Sequence, residues 1–393
     1  MRILHVITRL IQGGAQQNTV LSCAAQVRAG HDVHLAFGPI YGPEGSLLDE
    51  AQATGATLHE IAPMRRAIHP WHDLRCYVAL RRLIREIRPD IVHTHSSKAG
   101  ILGRVAAWHE KVPVVIHTVH GLPFHDRQPR WLHQAYVALE KFAARRCHHL
   151  VAITPAMVQA FREKRIAPPD RFSVIPSGVD LSRFEIAPDA RSKAREKLGL
   201  PPDTPVVAIL ARLDPLKGHD DLLDILPTLL ERFPTMQMLF IGDGWHRAHL
   251  EQRLAQSGHG ERVRLLGFVP HEQIGTILPA ADVKVLPSYQ EGQSRTLIEA
   301  LLCGCGIVAY GVGGIPSICI EGQTGKLVPV GDRSALADAI TWMLEHPDER
   351  QTMVEQGRTL VREKFSAEYM TRELESLYQR LIKNRSDDSG VSV

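Results

Sequence analysis

The chain has 393 residues, 44% hydrophobic and 23% charged, with a formal net charge of +3. This composition excludes a disordered or fibrous protein, and the length exceeds what one hydrophobic core supports, so two domains are expected. The charge is uneven: residues 1–180 hold 22 Lys and Arg against 14 Asp and Glu, the remainder 24 against 29, so the front half is the one suited to an anionic partner.

From the N-terminus, short Val/Ile-rich runs alternate with amphipathic stretches, the pattern of βα units building parallel sheets. Strands are expected at 3–8, 32–37, 91–95, 114–120, 149–154 and 172–176. Helices are expected at 14–29, 72–88, 98–110, 130–146 and 155–164. The rhythm pauses in PSGVDLSRFEIAPDA and restarts with VVAILAR, which predicts a domain of residues 1–180 and a second of 181–367. Further strands follow at 206–212, 236–242, 262–269, 283–287, 306–310 and 325–330. A last amphipathic helix spans 368–384 and a frayed tail 385–393. The reading is α/β, two doubly wound Rossmann-like domains, in which ligands gather outside the carboxyl ends of the strands.

Ala300 to Ile320 lacks formal charge over a membrane-spanning length, yet its five glycines before Pro316 fit a helix end, a buried strand and a loop better. The N-terminal MRILHVITRLIQGGAQ has no continuous apolar core of an export signal. Cysteines 23, 76, 147, 303, 305 and 319 form no CxxC pair and suit buried thiols in a reducing compartment.

Strand-end loops carry the chemistry. Gly13 and Gly14 open a helix after the first strand, either as a tight turn or as a phosphate contact. Neither GxGxxG nor GxxxxGK[ST] is present, which argues against NAD and P-loop readings. In ILARLDPLKG, Arg212 and Lys217 stand at one strand-to-helix junction and suit a pyrophosphate clamp. FIGDGWHR, with Gly242, and LLGFVP, with Phe268, offer surfaces for a base and ribose. EGQSRTLIE sets Glu291 and Glu299 eight positions apart, and Thr296 with Glu299 also reads as a T-x-x-E capping box. His93 and His95 share a strand face as a metal pair would, but no carboxylate or thiol stands at ligand spacing, so no metal and no cofactor is expected.

As a set, GGAQ, VHTHSSKAGILGRVAA, TVHG, PSGVD, RLDPLKG and the E-x7-E run followed by GG-IP and EG-TG-LV resemble retaining glycosyltransferases of family 4, which have the GT-B architecture of two domains facing across a cleft. The resemblance covers almost the whole chain and points towards bacterial enzymes that build surface polysaccharides. It implies that Arg212 and Lys217 neutralise the diphosphate of a nucleotide-sugar, that Glu299 binds the ribose and that Glu291 contacts the sugar. Gly292, Gln293 and Ser294 then touch sugar or phosphate through backbone N–H groups. His120 lies beside the reacting carbon, with His125 a secondary candidate, and Gly13 and Gly14 lie near the diphosphate.

Gln293 and Ser294 replace the family's common Phe-Gly, and Arg295 replaces an apolar residue, so the donor-sugar end of the pocket departs from the family pattern and these residues do not choose the nucleotide. UDP is the favoured donor nucleotide, with GDP kept as the alternative. The expected reaction is metal-independent transfer of a hexose-type sugar with retention to a glycan or polyprenyl-linked glycan. A nucleotide-sugar epimerase of the same fold and a non-catalytic nucleotide-sugar-binding protein are the rival readings. RWLHQAYVALEKFAARR suits either a helix resting on an anionic membrane, from the cytoplasmic side, or one packed on its own sheet. No nucleic-acid partner is expected.

Overall fold

The structure is a computed structural model describing residues 1–41, 45–124, 128–184 and 186–389, so His125 and Arg127 lie outside the described residues. It divides into two compact units, Met1–Val179 together with the chain from Ser366 onward, and Asp180–Phe365.

In chain order the first unit holds β1 (Arg2–Arg9), α1 (Gly14–Arg28), β2 (Asp32–Gly38), α2 (Leu48–Ala53), β3 (Thr57–Glu60), α3 (Pro70–Ile87) and β4 (Ile91–His95). There follow α4 (Ser97–His109), β5 (Val114–Val119), α5 (Arg130–Ala144), β6 (His149–Ala152), α6 (Pro155–Glu163) and β7 (Phe172–Val174). The sheet is parallel in the order β3-β2-β1-β4-β5-β6-β7. β4 and β5 are buried at every position, as strands covered on both faces must be. Leu4, Val6 and Val92 pack under α3 and α4, while Ile3, Ile91 and Ile116 pack on the opposite face. Residues 48–53 and 57–60 are not among the expected elements: the strand is four residues long at the sheet edge with no buried position, so it carries no hydrophobic period.

The second unit holds α7 (Ala190–Lys197), β8 (Val206–Leu210), α8 (His219–Arg232), β9 (Gln237–Ile241), α9 (Arg247–Ser257), β10 (Val263–Gly267) and α10 (His271–Ile277). It continues with β11 (Val283–Leu286), α11 (Arg295–Leu302), β12 (Gly306–Tyr310), β13 (Lys326–Val328), α12 (Arg333–Glu345) and α13 (Pro347–Lys364). Its sheet, also parallel, runs β10-β9-β8-β11-β12-β13. In each sheet the order reverses once, between β1 and β4 and between β8 and β11. There the adjacent crossovers leave to opposite sides and open a crevice at the carboxyl ends of the strands.

The last helix, α14 (Ala367–Ser389), belongs to the first unit, where Met370, Leu374, Leu377 and Tyr378 join the Ile3, Ile91, Val114 and Ile116 core. It runs past the expected bound of 384 because Arg385 to Ser389 hold neither glycine nor proline and so can continue a helix. Ala300 to Ile320 is divided among α11, β12 and a 3₁₀ turn, and among the described residues no helix is long and apolar enough to cross a membrane. The six cysteines are buried free thiols.

Two glycines set how closely α4 approaches its sheet. A Cβ on Gly100 would stand 2.5 Å from the His117 ring, and one on Gly103 2.7 Å from Thr94 Cγ2. The closeness buries Arg104, whose Nη2 meets Glu140 of α5 at 2.9 Å while its Nε donates to the Gly100 carbonyl. Both members are almost wholly buried, so removing one leaves an uncompensated charge. Glu140→Leu is therefore expected to cost the first unit about 3–5 kcal/mol, read as a shift of its denaturant midpoint.

Candidate functional site

In the second unit the crevice at β8/β11 is bridged by charge. β8 delivers Arg212 and, after a 3₁₀ turn capped by Asp214, Lys217; β11 delivers Glu291. Lys217 Nζ lies 2.6 Å from Glu291 Oε1, both groups partly buried. Arg212 instead turns its guanidinium to Asp214 at 2.7 Å and is largely exposed. Burial pushes the Asp214 carboxyl up, but the Leu216 N–H and the Arg212 guanidinium outweigh it and hold the group below the usual carboxylate range. The two cations of the expected clamp are thus each paired with a separate carboxylate.

Backbone contacts fix the loop around Glu291. Gly218 turns at φ 73° against Pro287, whose carbonyl oxygen a Cβ would meet at 2.0 Å, and Tyr289 N–H donates to the Leu216 carbonyl. Gly313, at φ 56°, abuts the Glu291 carbonyl at 1.9 Å from where its Cβ would be, and Gly314 N–H donates to Gly292. Asp221 anchors the approach, accepting from Tyr289, Tyr310 and Arg333. Gly242, at φ 136°, lies under the Ala211 carbonyl, and Phe268 stands 77% exposed after β10.

Gln293 and Ser294 lead into α11, with Ser294 at its N-cap. The T-x-x-E capping box does not form. Thr296 is already inside the helix and accepts from Lys284 Nζ at 2.9 Å, while Glu299 accepts from His271 Nε2 at 3.0 Å. His271 and Lys284 escape a sequence reading: the first follows GFVP at a helix start, and the second sits in an otherwise apolar strand.

In the first unit Gly13 is the extended N-cap of α1 and Gly14 its first residue. His120 follows β5, its Nε2 3.0 Å from His95 Nδ1. β1 pairs with β4 so that His5 stands beside His93, adding a third ring to the pair visible in the sequence. The three offer nitrogens close enough to share an ion. All six ring nitrogens are already engaged, however: His5 with His95 and Gln26, His95 with His120, and His93 with Tyr378 and Thr118. Burial pushes His5 and His120 down to about 4 and His93 and His95 well below the ordinary imidazole value. Ser96, at φ 60° and ψ 162°, occupies a region close to glycine-only, held there by Thr8 Oγ1 at 2.7 Å. Ser96 and His120 both wall a pocket of about 310 Å³.

Comparison with known proteins shows the family to which the chain belongs. Residues 12–183 match glycosyltransferase family 4, and residues 190–360 match glycosyl transferases group 1. A D-inositol 3-phosphate glycosyltransferase of Corynebacterium glutamicum is 30% identical, over 76% of this chain and 74% of its own. The chain belongs to glycosyltransferase family 4. Another relative is the Escherichia coli UDP-Gal:alpha-D-GlcNAc-diphosphoundecaprenol alpha-1,3-galactosyltransferase, 29% identical over 86% of this chain and 87% of its own. Among solved structures, Anabaena HepE in complex with UDP superposes with a TM-score of 0.83 at 21% identity, covering 97% of this chain and all of that one, which shows the GT-B fold.

Lys284 gives this glycosyltransferase a measurable signature. Fully buried on β11, its ammonium is pushed down to about 7 by burial, only partly offset by Glu291 and Glu299. The unfolded chain keeps the proton up to its ordinary range and the folded chain releases it near 7, so stability rises with pH between those values, and below 7 the burial penalty is present in full. Lys284→Met is expected to raise the melting temperature at pH 7 and to flatten that rise, measured by thermal unfolding across pH 6–10.

Proposed function

We propose that this glycosyltransferase moves a hexose-type sugar, with retention and without a metal, from a nucleoside diphosphate to a hydroxyl of a polyprenyl-linked glycan in polysaccharide or glycolipid assembly. UDP is the favoured nucleotide and GDP the alternative. The observation that carries the reading is the Lys217–Glu291 pair across the β8/β11 crevice, next to the loop of Gly292, Gln293 and Ser294. As the bond from sugar C1 to the diphosphate oxygen breaks, negative charge grows on the phosphate oxygens, where Lys217 and Arg212 stabilise it. The acceptor oxygen bonds to C1 on the same face, and its proton passes to the departing phosphate. No carboxylate needs to shuttle a proton, so Glu291 is left to accept from sugar hydroxyls and Glu299 from the ribose. Because His271 occupies Glu299 Oε1, ribose binding either displaces that ring or uses the other oxygen. Gly242 and Phe268 flank the base.

Support for the donor and acceptor comes from the relatives: a UDP-sugar and a diphosphoundecaprenol-linked sugar for the Escherichia coli enzyme, UDP-glucose for HepE. Surface chemistry in the first unit supports association with a membrane surface, which the reading puts on the cytoplasmic side. Trp71, Leu74 and Val78 are exposed along one face of α3, with Arg75 and Arg82 on the same face, and Trp131, Leu139 and Phe142 are exposed on α5. α5 buries only Glu140, Ala143 and Ala144, so packing on its own sheet does not account for those apolar side chains. Ile68 and Leu139 wall one groove of about 720 Å³ that also holds Arg9, Arg66 and Lys98, a combination suited to a lipid diphosphate.

A panel of UDP- and GDP-sugars, scored by nucleotide release with and without bacterial lipid extract, tests the reading. Acceptor-dependent release is expected; an epimerised sugar without acceptor, or binding without turnover, would instead support one of the rivals. Lys217→Ala is expected to slow transfer by about 10²–10³. Glu299→Ala should chiefly raise the donor KM, and His120→Ala should lower kcat more than donor affinity. Trp71→Ala with Leu74→Ala is expected to weaken co-sedimentation with anionic phospholipid vesicles while leaving turnover of a short water-soluble acceptor unchanged.

A further inference from the structure

The histidines under the first crevice form an ordered line. Gln26 Oε1 lies 2.7 Å from His5 Nε2, His5 Nδ1 2.9 Å from His95 Nε2, and His95 Nδ1 3.0 Å from His120 Nε2. A neutral imidazole has one N–H and one lone pair, so each ring must hand on the polarity it receives. Burial keeps these rings neutral near pH 7.

Gln26 sets the direction. Its Nε2 donates to the Tyr378 hydroxyl, so its Oε1 faces His5 and can only accept. His5 therefore carries its proton on Nε2, and its Nδ1 accepts from His95 Nε2–H. His95 Nδ1 in turn accepts from His120 Nε2–H. At the other end Tyr378, having accepted from Gln26, donates to His93 Nδ1, which leaves His93 Nε2–H for Thr118 Oγ1 at 2.7 Å. One assignment satisfies every contact, and its reverse would require the Gln26 amide to turn over. What emerges is His120 Nδ1, buried and without a partner among the described residues, in the wall of the pocket with Ser96 and Ser97.

We propose that Gln26, His5 and His95 are positioning residues whose fixed polarity locks His120 as the Nε2–H tautomer, making Nδ1 a standing acceptor for a hydroxyl of the substrate sugar. The proposal rests on the reading of His120 as a substrate contact. It makes the site selective for a sugar that presents a hydrogen-bond donor there, against one with a deoxy, fluoro or carbonyl group. It also gives α14 a role, because Tyr378 holds the Gln26 amide in the required orientation.

Long-range proton–nitrogen correlation spectra of the full-length protein with ¹⁵N-labelled histidine, at neutral pH and without substrate, test this. His120, assigned by its loss in His120→Gln, is expected to show a protonated Nε2 and an unprotonated Nδ1. Gln26→Leu removes the acceptor for His5: His120 should become a mixture of tautomers, and kcat should fall about tenfold with donor KM unchanged, the loss of one net hydrogen bond in the transition state. Gln26→Glu, which still only accepts towards His5, should restore both. A wild-type His120 protonated on Nδ1 overturns the proposal even where the leucine variant does not fold. So does a folded Gln26→Leu protein whose kcat falls while the His120 tautomer is unchanged. Normal transfer by His120→Gln removes the substrate-contact reading instead and leaves the tautomer result standing.

Discussion

A parallel strand buried on both faces exposes its functional groups only at its carboxyl end, and the order of each sheet decides where two such ends stand apart. Everything in the candidate site depends on that constraint. In the second unit the parting of β8 from β11 puts Lys217 and Glu291 on opposite sides of one crevice, where they pair. In the first, the parting of β1 from β4 brings the α1 N-terminus, Ser96 and the end of β5 to one neighbourhood. The strained Ser96 backbone and the tight Gly218 and Gly313 turns lie at these two crevices.

The first unit carries an unusual core for a parallel sheet. β1 and β4 place three imidazoles on the face covered by α1 and α14, a position where leucine would normally sit. Buried polar rings are tolerable only if every nitrogen is satisfied, and here the outside partners come from α1, α14, β5 and the residue that follows β5. The arrangement couples stability to specificity: the hydrogen bonds that make the histidines affordable inside the sheet also dictate which nitrogen of His120 faces the pocket. A hydrophobic replacement of equal shape would pack, and it would leave that tautomer undirected.

The fold was legible because its strands are short β-branched runs between amphipathic helices, and because the restart at VVAILAR marks the second sheet. β3 and α2 escaped notice because an edge strand of four residues has no buried period. Site residues carried by glycine-rich strand ends, such as Lys217, Glu291 and His120, stand out from their local context. Their supports do not: Gln26, Tyr378, Lys284 and His271 act through contacts separated by long stretches of chain, and each in isolation reads as an ordinary helix or strand residue. The capping box shows the converse error. Thr296 and Glu299 have the right spacing, but the helix begins at Arg295 after a Ser294 N-cap, and tertiary partners had already taken both side chains.

Lys284 and the histidine line solve related problems by opposite means. An ammonium buried behind α11 beside the Thr296 hydroxyl is held only weakly against proton loss, and at pH 7 it still carries nearly the whole cost of its burial, which fades only as the pH rises towards the ordinary lysine range. The imidazoles are kept neutral and carry direction instead of charge. In each unit the sheet interior therefore contributes hydrogen-bond geometry to that unit's own crevice, and in the second unit the charged groups of Lys217, Glu291 and Arg212 are carried on loops.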